Sequence, residues 1–508
     1  MKNQLESCIS NECQKHIDRH YNYLFELEKN NRRKARRLGI NIDKQILKPD
    51  RWDIDDGFDP FKVNSKKQLK TYAYTLNEKL RTLTYKPKTS VIESIPKASG
   101  GSRELNIFQI PDAAISRLVY KSLLLKNINL FSNYAYAYRE DRNAHDAIFK
   151  ISADWKNNDR VYVAEFDFSK FFDKITHGYL WDILHTRGFL YTEMEEYILH
   201  TFLESKYSQP SSYNLDLGTP RKAGIPQGTS ISLFLANLVC WELDHELEGI
   251  GVRFARYADD TLIWSNSYDK VVRAYDIISK FSILIGSPIN FAKSEGITLI
   301  SEKTNKEIKS KTQVHFLGHN ISLKKVSISN KNVTSIKEKI SFIVYENLIQ
   351  PQRKGIFNSA RLNLIDLDYV TALSQIRSYL YCGLNDTKLR HYKLGVIDRL
   401  NFRGLMSYYP LVDDEEQLKI LDGWLIHTLK QSLRWREKSW YFNKGRGLPG
   451  PTQNWIEEIV NNKKWVHPGN NIEFDLRVPS FLQINRAMKI GLNRGGIRNV
   501  ANPRSQYY

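Results

Sequence analysis

The sequence predicts an α+β fold followed by an α-helical C-terminal part. Residues 161–167 form an apolar run that ends on an acid, which is the pattern of a buried strand. Residues 252–264 hold two mostly apolar stretches with two adjacent acids between them, and this pattern favours a β-hairpin. From about residue 330 onward the pattern is mostly helical. Strands mixed with helices and then a helical run indicate an α+β unit joined to a helical unit.

The elements before residue 161 follow from apolar periodicity and from turn residues. A charged helical segment within 1–60 ends in an acidic turn at 53–60. The next predicted elements are a helix at 65–83, a strand at 90–95, a glycine turn at 100–101, a strand at 103–107 and a helix at about 113–126.

Helices predominate after residue 167. Residues 224–228 form a turn that opens into a long apolar helix. The predicted elements of this part are helices at 177–187, 192–203, 230–247 and 270–284, and one more short hairpin around 316–318.

The length and the charge indicate a multidomain protein with a nucleic-acid partner. A chain of 508 residues holds about two to four domains. The formal net charge of +19 favours a polyanionic ligand, and phosphate contacts dominate the binding of nucleic acids. Much of the excess lies in clusters of basic residues, at 32–37, 434–436 and 494–504. A generally basic surface remains an alternative, as does a solvated helix face for 32–37.

Composition disfavours several other classes of protein. No apolar stretch reaches the ~20 residues that a membrane span needs, and the polar first 20 residues carry acids. We therefore expect neither a membrane span nor a targeting peptide. The four cysteines, Cys8, Cys13, Cys240 and Cys382, are too few and too scattered for a disulfide framework or a zinc ribbon. A cytoplasmic location is expected.

Three acids form the candidate chemical site. Asp167 ends the predicted buried strand, and Asp259 and Asp260 lie between the two strands of the predicted hairpin. Adjacent carboxylates repel each other, so a fold that retains them commonly supplies a cation. Three carboxylates suit two Mg²⁺ ions, which can activate a 3′-hydroxyl and steady a leaving pyrophosphate. Taken singly, Asp167 is typical of a helix N-cap and the acid pair of a solvated turn, whereas their joint occurrence favours the metal site.

Two further motifs accompany the acids. Residues 223–230 place glycines on either side of Pro226 and Gln227, which lets the backbone approach a ligand closely. Residues 290–293 follow the acid pair and end in Lys293, which could protonate a departing pyrophosphate. A structural loop and a surface lysine are the alternatives for these two motifs.

The ordered motifs resemble the palm of reverse transcriptases, in particular the bacterial enzymes of the group II intron, retron and phage-defence type. The resemblance runs from about residue 65 to 325. It rests on segments 166–173, 224–232, 257–260, 290–293 and 315–319 in the palm, and on 95–103, 135–139 and 143–147 in the fingers. It implies a right-hand polymerase fold with fingers, a palm that carries the Tyr-Ala-Asp-Asp hairpin, and a helical thumb.

The resemblance assigns the chemistry of the palm to five residues. Asp167, Asp259 and Asp260 would be the catalytic acids and the metal ligands. The Phe168 carbonyl would be an added metal ligand, and Lys293 would be the catalytic lysine. The metal would be two Mg²⁺ ions, with Mn²⁺ as the alternative.

The resemblance also assigns the nucleotide pocket. Lys97 and Arg103 would hold the triphosphate, and Gln227 would line the pocket. Phe172, five residues after Asp167, would lie beneath the sugar and leave no room for a 2′-hydroxyl. RNA-dependent RNA polymerases place an acid at that spacing, so the ring predicts deoxynucleotide substrates and a DNA product.

The sequence predicts five segments. Residues 326–440 resemble, more weakly than the palm does, the thumb and maturase-like region of group II intron proteins. The tryptophans and cations of the last segment suit stacking on unpaired bases and ordinary packing alike. The segments are an N-terminal helical basic extension (1–64), fingers (65–160), palm (161–325), helical thumb or maturase-like region (326–440) and basic aromatic C-terminal extension (441–508).

These observations predict an RNA-directed DNA polymerase that adds deoxynucleotides from dNTPs by two-metal-ion catalysis. The expected partners are an RNA template, in the form of a dedicated structured non-coding RNA used in bacterial anti-phage defence, and the DNA product. A homo-oligomer is left open, and no membrane partner is expected. The alternatives are a group II intron maturase without an endonuclease and a template-independent nucleotide polymerase.

Overall fold

The computed structural model describes residues 2–42, 48–96, 101–214, 217–290, 294, 296–303, 309–363, 365–384, 386–449, 464–466 and 473–500. Within these ranges the helices are α1 (Lys2–Leu38), α2 (Pro60–Val63), α3 (Lys66–Arg81), α4 (Ile110–Asn127), α5 (Ala144–Trp155), α6 (Phe171–Lys174), α7 (His177–Thr186), α8 (Glu193–Leu203), α9 (Ile231–Val239), α10 (Trp241–Gly249), α11 (Tyr268–Leu284), α12 (Asn330–Val344), α13 (Gln350–Arg353), α14 (Leu367–Tyr381), α15 (Asp386–Lys393), α16 (Glu415–Lys444) and α17 (Phe481–Gly495).

The strands in the same ranges form four sheets. One π-helical segment, Tyr345–Ile349, continues α12. The strands are β1 (Ser90–Pro96), β2 (Ser102–Ile107), β3 (Arg160–Phe166), β4 (Lys206–Ser208), β5 (Thr219–Pro220), β6 (Arg253–Tyr257), β7 (Asp260–Ser265), β8 (Gly296–Ser301), β9 (Ser310–Lys311), β10 (Gln313–Phe316), β11 (His319–Ser322), β12 (Val326–Ile328), β13 (Lys464–Val466) and β14 (Glu473–Asp475).

A five-stranded sheet in the order β6-β7-β3-β8-β9 carries the acids. β3 lies between β7 and β8 and is antiparallel to both. Its side chains alternate between two apolar cores: Ala164 and Phe166 pack with helices α7 to α11, whereas Val161 and Val163 pack with α5 and the β10-β11-β12 sheet. Because both faces of the sheet are covered here, the sequence of β3 is mostly apolar and does not alternate between apolar and polar residues.

A second sheet has the strand order β2-β1-β4-β5. β1 and β2 form an antiparallel hairpin in which Ile95 pairs with Arg103. The first half of α1 packs beside α3 and α4 through Leu5, Ile9 and Cys13, which recur every four residues and are almost fully buried. This half of α1 is therefore part of the same apolar core as Ala164 and Phe166 of the central sheet.

The C-terminal helices build a separate apolar core. Helix α16 contributes Leu418, Leu421, Leu425 and Leu429, and α12, α14 and α17 pack around it. The predicted boundary between residues 440 and 441 falls inside α16, which continues to Lys444. Helix α17 belongs to the same core through its own apolar face, although the sequence places it in the C-terminal extension.

In the described part of the chain, no helix combines the length and the apolar character that crossing a bilayer requires.

Candidate functional site

The register of the central sheet brings the three acids to one end of it. Phe166 of β3 pairs with Thr261 of β7, so the next position on each strand is Asp167 and Asp260. Tyr257 pairs with Asp260 across the β6–β7 hairpin, which leaves Ala258 and Asp259 as its two-residue turn. The acid hairpin and the acid that ends β3 are therefore neighbours in the structure, as the sequence predicts.

The Asp167 carboxylate is held by a short segment that sequence analysis did not single out for this role. The Asn290 side-chain amide donates to Asp167 Oδ2 at 3.0 Å, and the Asn290 N–H donates to the Asp167 carbonyl at 2.8 Å. Phe168 and Ile289 form a β-bridge beside this contact. Residues 288–290 thus fix the orientation of the first acid. Lys293, three residues further on, lies outside the described residues.

A buried ion pair lies directly behind the acid hairpin. Arg256 donates to both carboxylate oxygens of Asp244, from Nε to Oδ1 at 2.7 Å and from Nη2 to Oδ2 at 2.6 Å, and both side chains are 1% exposed. Arg256 Nη1 also donates to the Ala258 carbonyl at 3.3 Å. Ala258 has φ of +60°, a conformation that L-residues rarely adopt. The ion pair therefore supports the strained Ala258 position of the turn, directly before Asp259.

Sequence analysis did not identify this pair. Burial lowers the pKa of Arg256, but the neighbouring Asp244 carboxylate more than offsets this effect, so the pKa is raised and the guanidinium stays charged. Little in the sequence signals the pair, because Asp244 lies among other acids in α10 and β6 holds a second arginine, Arg253, that is exposed.

Phe172 is positioned by the glycine loop predicted to line the site. The Ile225 N–H donates to the Phe172 carbonyl at 2.6 Å, and the Gly224 N–H donates to the Ile175 carbonyl at 2.7 Å. The Phe172 ring is half-buried and packs edge-on against Phe171 with ring centroids 5.5 Å apart. The loop is therefore bonded to the main chain of the segment that carries the Phe172 ring.

Gly224 can hold this position because it has no side chain. Its φ is +79°, and a Cβ would lie 2.6 Å from the Asp173 carbonyl oxygen. We expect Gly224→Ala to lower the free energy of unfolding by more than Gly188→Ala. Gly188 has a similar φ of +76° but no atom near a Cβ, so its substitution should cost only the backbone strain of about 1–3 kcal/mol. Urea unfolding of both variants measures the difference, and equal losses would contradict the proposed close approach.

The loop also joins the predicted nucleotide-binding residues of palm and fingers. Gln227 Nε2 donates to Asp173 Oδ1 at 3.1 Å, and the Gln227 carbonyl accepts from the Asn106 N–H at 2.6 Å. Asn106 lies on β2, three residues after the exposed Arg103. The structure thus connects the strand of Arg103 to the loop of Gln227. Lys97 lies outside the described residues.

The motif at 315–319 forms the β10–β11 hairpin and contacts the C-terminal core. His319 is buried, and burial lowers its pKa to about 4, so its imidazole is neutral and donates from Nδ1 to the Leu317 carbonyl at 2.9 Å. The Asn332 amide of α12 donates to the Gly318 carbonyl at 3.3 Å and to the Tyr409 hydroxyl at 2.9 Å. The hairpin turn is therefore bonded to the first C-terminal helix.

The donor set at the acids fits a hard divalent cation that is shared with a phosphate. Asp167 and Asp260 stand opposite each other in register, Asp259 adjoins them, and carboxylate oxygens are the ligands that Mg²⁺ prefers. Nowhere in the described ranges do three His, Cys, Asp or Glu side chains converge closely enough to enclose a metal by themselves. Mg²⁺ usually binds one or two carboxylates together with substrate phosphates and water.

Comparison with protein families gives one match. Residues 95–321 match the family described as reverse transcriptase (RNA-dependent DNA polymerase). The matched range contains all three acids, Phe172 and the glycine loop. It begins within β1 and ends within β11, the middle strand of the β10-β11-β12 sheet.

Three curated proteins illustrate the similarity. The Retron Ec86 reverse transcriptase of Escherichia coli is 28% identical over 36% of this chain and 49% of its own length. A 91 kDa protein in the cob intron of Schizosaccharomyces pombe is 27% identical over 32% of this chain and 19% of its own length. The COX1/OXI3 intron 1 protein of Saccharomyces cerevisiae is 23% identical over 50% of this chain and 34% of its own length. The chain thus spans half or less of each of these relatives.

Solved structures with detectable similarity include two telomerases. One is the telomerase of Candida albicans in complex with the TWJ fragment of telomeric RNA, at 12% identity and a TM-score of 0.38, covering 79% of this chain and 68% of that one. The other is apo telomerase of Candida tropicalis, also at 12% identity and a TM-score of 0.38, covering 84% and 85%.

The family match agrees with the fold built from the residues upward. The predicted α+β class of right-hand polymerase type is confirmed, with the acids on the palm sheet and a helical unit after it. The chain carries a reverse transcriptase domain over residues 95–321, homologous to a retron reverse transcriptase and to intron-encoded proteins.

Proposed function

We propose that the protein is an RNA-directed DNA polymerase that adds deoxynucleotides to a primer 3′ end. The observation that carries this proposal is the register of β3 and β7, which sets Asp167 opposite Asp260 with Asp259 in the adjoining turn. The reaction forms a bond between the primer 3′ oxygen and the α-phosphorus of a dNTP, breaks the bond to pyrophosphate and releases the hydroxyl proton.

In this proposal the three acids hold two divalent cations, Mg²⁺ or Mn²⁺, which neutralise phosphate charge and lower the pKa of the 3′-hydroxyl when bound. The role of the chain is to keep the acids fixed. Asn290 orients the Asp167 carboxylate, and the Arg256 guanidinium supports the turn before Asp259. The assignment of Lys293 as proton donor stays a prediction.

The pocket beside the acids is proposed to select the sugar. The Ile225 N–H fixes the main chain of Phe172 through its carbonyl, and the ring of Phe172 packs edge-on against Phe171. A ring at this place excludes a 2′-hydroxyl by overlap rather than by a polar contact. Gln227 lines the same pocket, and Arg103 with Lys97 would contact the triphosphate.

Purified protein supplied with a primed RNA template tests the proposal directly. We expect incorporation of dNTPs that requires both the template and Mg²⁺ or Mn²⁺. Incorporation without any template would favour the template-independent polymerase, and absence of incorporation with intact RNA binding would favour a maturase whose task is RNA folding.

Phe172→Ala is expected to lower the discrimination against ribonucleotides. Removing the ring opens space for a 2′-hydroxyl, so the ratio of kcat/KM for dNTP to that for NTP should fall by about tenfold or more, equivalent to ~1.4 kcal/mol. Steady-state incorporation of matched dNTP and NTP pairs measures this ratio.

Phe149→Ala is the matched control for Phe172→Ala. Phe149 lies on α5, is 59% exposed and belongs outside the pocket, so its removal should leave the ratio unchanged. An unchanged ratio in Phe172→Ala would reject the steric role of Phe172.

We further infer that the template is a dedicated structured RNA and that the DNA product serves anti-phage defence. The net charge of +19 and the similarity to a retron reverse transcriptase support this inference. Sequencing of the RNA and DNA that copurify with the protein, together with phage plating on cells with the wild-type and the Asp259→Asn protein, tests it. A mixed RNA population and equal plating would contradict the inference.

A further inference from the structure

A basic cleft lies between the second half of α1 and the helices of the C-terminal core. Its volume is about 410 Å³, within the range of ligand-binding clefts. Five cations line it: Lys29, Arg33, Lys34 and Arg37 from α1, and Lys339 from α12. All of them lie outside residues 95–321, the range of the family match.

Two of these cations are neutralised within the protein. Lys29 pairs with Glu26 at 2.9 Å, one turn earlier on α1. Arg37 is buried, donates to the Asn347 side-chain carbonyl at 3.1 Å and lies 3.6 Å from the Glu346 carboxylate. These contacts anchor the end of α1 to the π-helical segment and form the inner wall of the cleft.

The other three cations form no direct ion pair in the described part of the chain, although the Glu26 carboxylate opposes the burial effect on the pKa of Arg33 from a greater distance. Arg33, Lys34 and Lys339 make no ion pair or hydrogen bond with any residue that the structure describes. Arg33 is half-buried, and this burial lowers the pKa of its guanidinium. A desolvated and unpaired charge is unfavourable unless an anion compensates it. Arg33 is half-buried whereas Lys34 and Lys339 are exposed, so the cleft offers three positive charges to an external anion.

Rings and amides line the cleft together with the charges. Phe342 is 52% exposed, with Lys339 Nζ 5.9 Å from the ring centroid, and Tyr379 is half-buried and lines the same cleft. Asn30 and Asn31 add amide donors and acceptors. Aromatic faces among cations suit unpaired bases, which stack on rings while phosphates contact the charges, whereas a duplex would present only its phosphates.

We propose that this cleft binds a single-stranded segment of nucleic acid, with Arg33, Lys34 and Lys339 on its phosphates and a base stacked on Phe342. The run 32–37 is then neither a uniformly solvated helix face nor a general basic patch. Its residues divide between an anchor, Arg37, a binding surface, Arg33 and Lys34, and an outer face that includes Arg32.

The triple variant Arg33→Gln/Lys34→Gln/Lys339→Gln tests the phosphate contacts. Binding of a fluorescent single-stranded RNA of about 20 nucleotides is followed by anisotropy between about 0.05 and 0.3 M salt. Three lost contacts should lower the slope of log K against log salt by about 2, and the affinity near 0.1 M by about tenfold or more. Arg32→Gln is the matched control, because Arg32 is exposed and pairs with Glu28 at 2.6 Å.

Phe342→Ala tests the stacking contact separately. Loss of the exposed ring should weaken single-stranded RNA by about fivefold or more without changing the salt slope, and should leave duplex RNA unaffected. Binding of a single-stranded DNA of the same sequence shows whether the cleft distinguishes ribose from deoxyribose. Weaker RNA binding by Phe342→Ala supports the proposal whether or not DNA binding also weakens.

Three results would overturn the proposal. They are an unchanged salt slope and affinity in the triple variant, an equal loss of affinity in Arg32→Gln, and a loss of affinity confined to duplex RNA. The cleft is independent of the polymerase reaction. Incorporation on a short annealed template and primer should persist in the triple variant. Failure of this assay in the wild-type protein would count against the proposed function. The RNA-binding measurement does not depend on incorporation, so its result could still be interpreted.

Discussion

Asp259→Asn is expected to abolish DNA synthesis, lowering the incorporation rate by at least about 10³-fold, because it removes a negative charge from the site where cations and phosphates meet. Asn has the same shape and keeps the hairpin turn, so the folded protein should persist. Single-nucleotide incorporation on a primed RNA template, with the urea midpoint recorded in parallel, measures both properties.

Asp182→Asn serves as the control for this substitution. Asp182 is an exposed acid on α7, outside the palm end of the sheet, and its neutralisation should leave incorporation unchanged. Retained synthesis in Asp259→Asn would contradict the assignment of the acid hairpin. A comparable loss in Asp182→Asn would point instead to a general effect of charge on RNA binding.

Arg256→Met is expected to be the most destabilising single substitution in the palm, at about 3–5 kcal/mol. It leaves the Asp244 carboxylate buried without its partner, and removal of one member of a buried ion pair has a cost of this size. Burial alone already raises the pKa of Asp244, so the variant should take up a proton at this carboxyl. Urea unfolding of variant and wild type measures the loss.

The double variant Arg256→Met/Asp244→Leu separates stability from positioning. Two apolar side chains of similar volume should recover most of the lost stability, since neither leaves a charge unpaired. Incorporation should stay below that of the wild type, because the Ala258 carbonyl no longer accepts from the guanidinium and the turn before Asp259 is freed. Full recovery of both stability and incorporation would show that the ion pair contributes only packing and does not position the turn.

The acids and their hairpin could be predicted from the sequence because local patterns determine them. An apolar run that ends in Asp167, and two apolar stretches around Asp259 and Asp260, identify the strands without any knowledge of their pairing. That β3 pairs with β7 was not accessible in this way, since pairing depends on contacts between distant parts of the chain. The resemblance to a known palm implied that the three acids share one site, and the structure shows the strand pairing that brings them together.

The supporting residues could not be predicted for the same reason. Asp244 and Arg256 lie 12 positions apart, and Asn290 lies 123 positions from Asp167. Each is an ordinary polar residue until folding buries it or brings it to its partner. The predicted segment boundary at 440 has a related origin: the apolar face of α16 continues through Trp440, and aromatic residues on a buried face look the same as aromatic residues in a binding surface.

Helix α1 mechanically links the two cores of the protein. Its 37 residues span about 55 Å, with Leu5, Ile9 and Cys13 in the core of the central sheet and Arg37 bonded to the π-helical segment of the C-terminal core. A continuous helix resists stretching far more than side-chain contacts do, so any hinge motion that separates the cores must be relieved by slippage or detachment at one end. Separation of the two cores would therefore require breaking the contacts of α1 at one of its ends, and a strand held in the cleft beside Arg37 would oppose that separation.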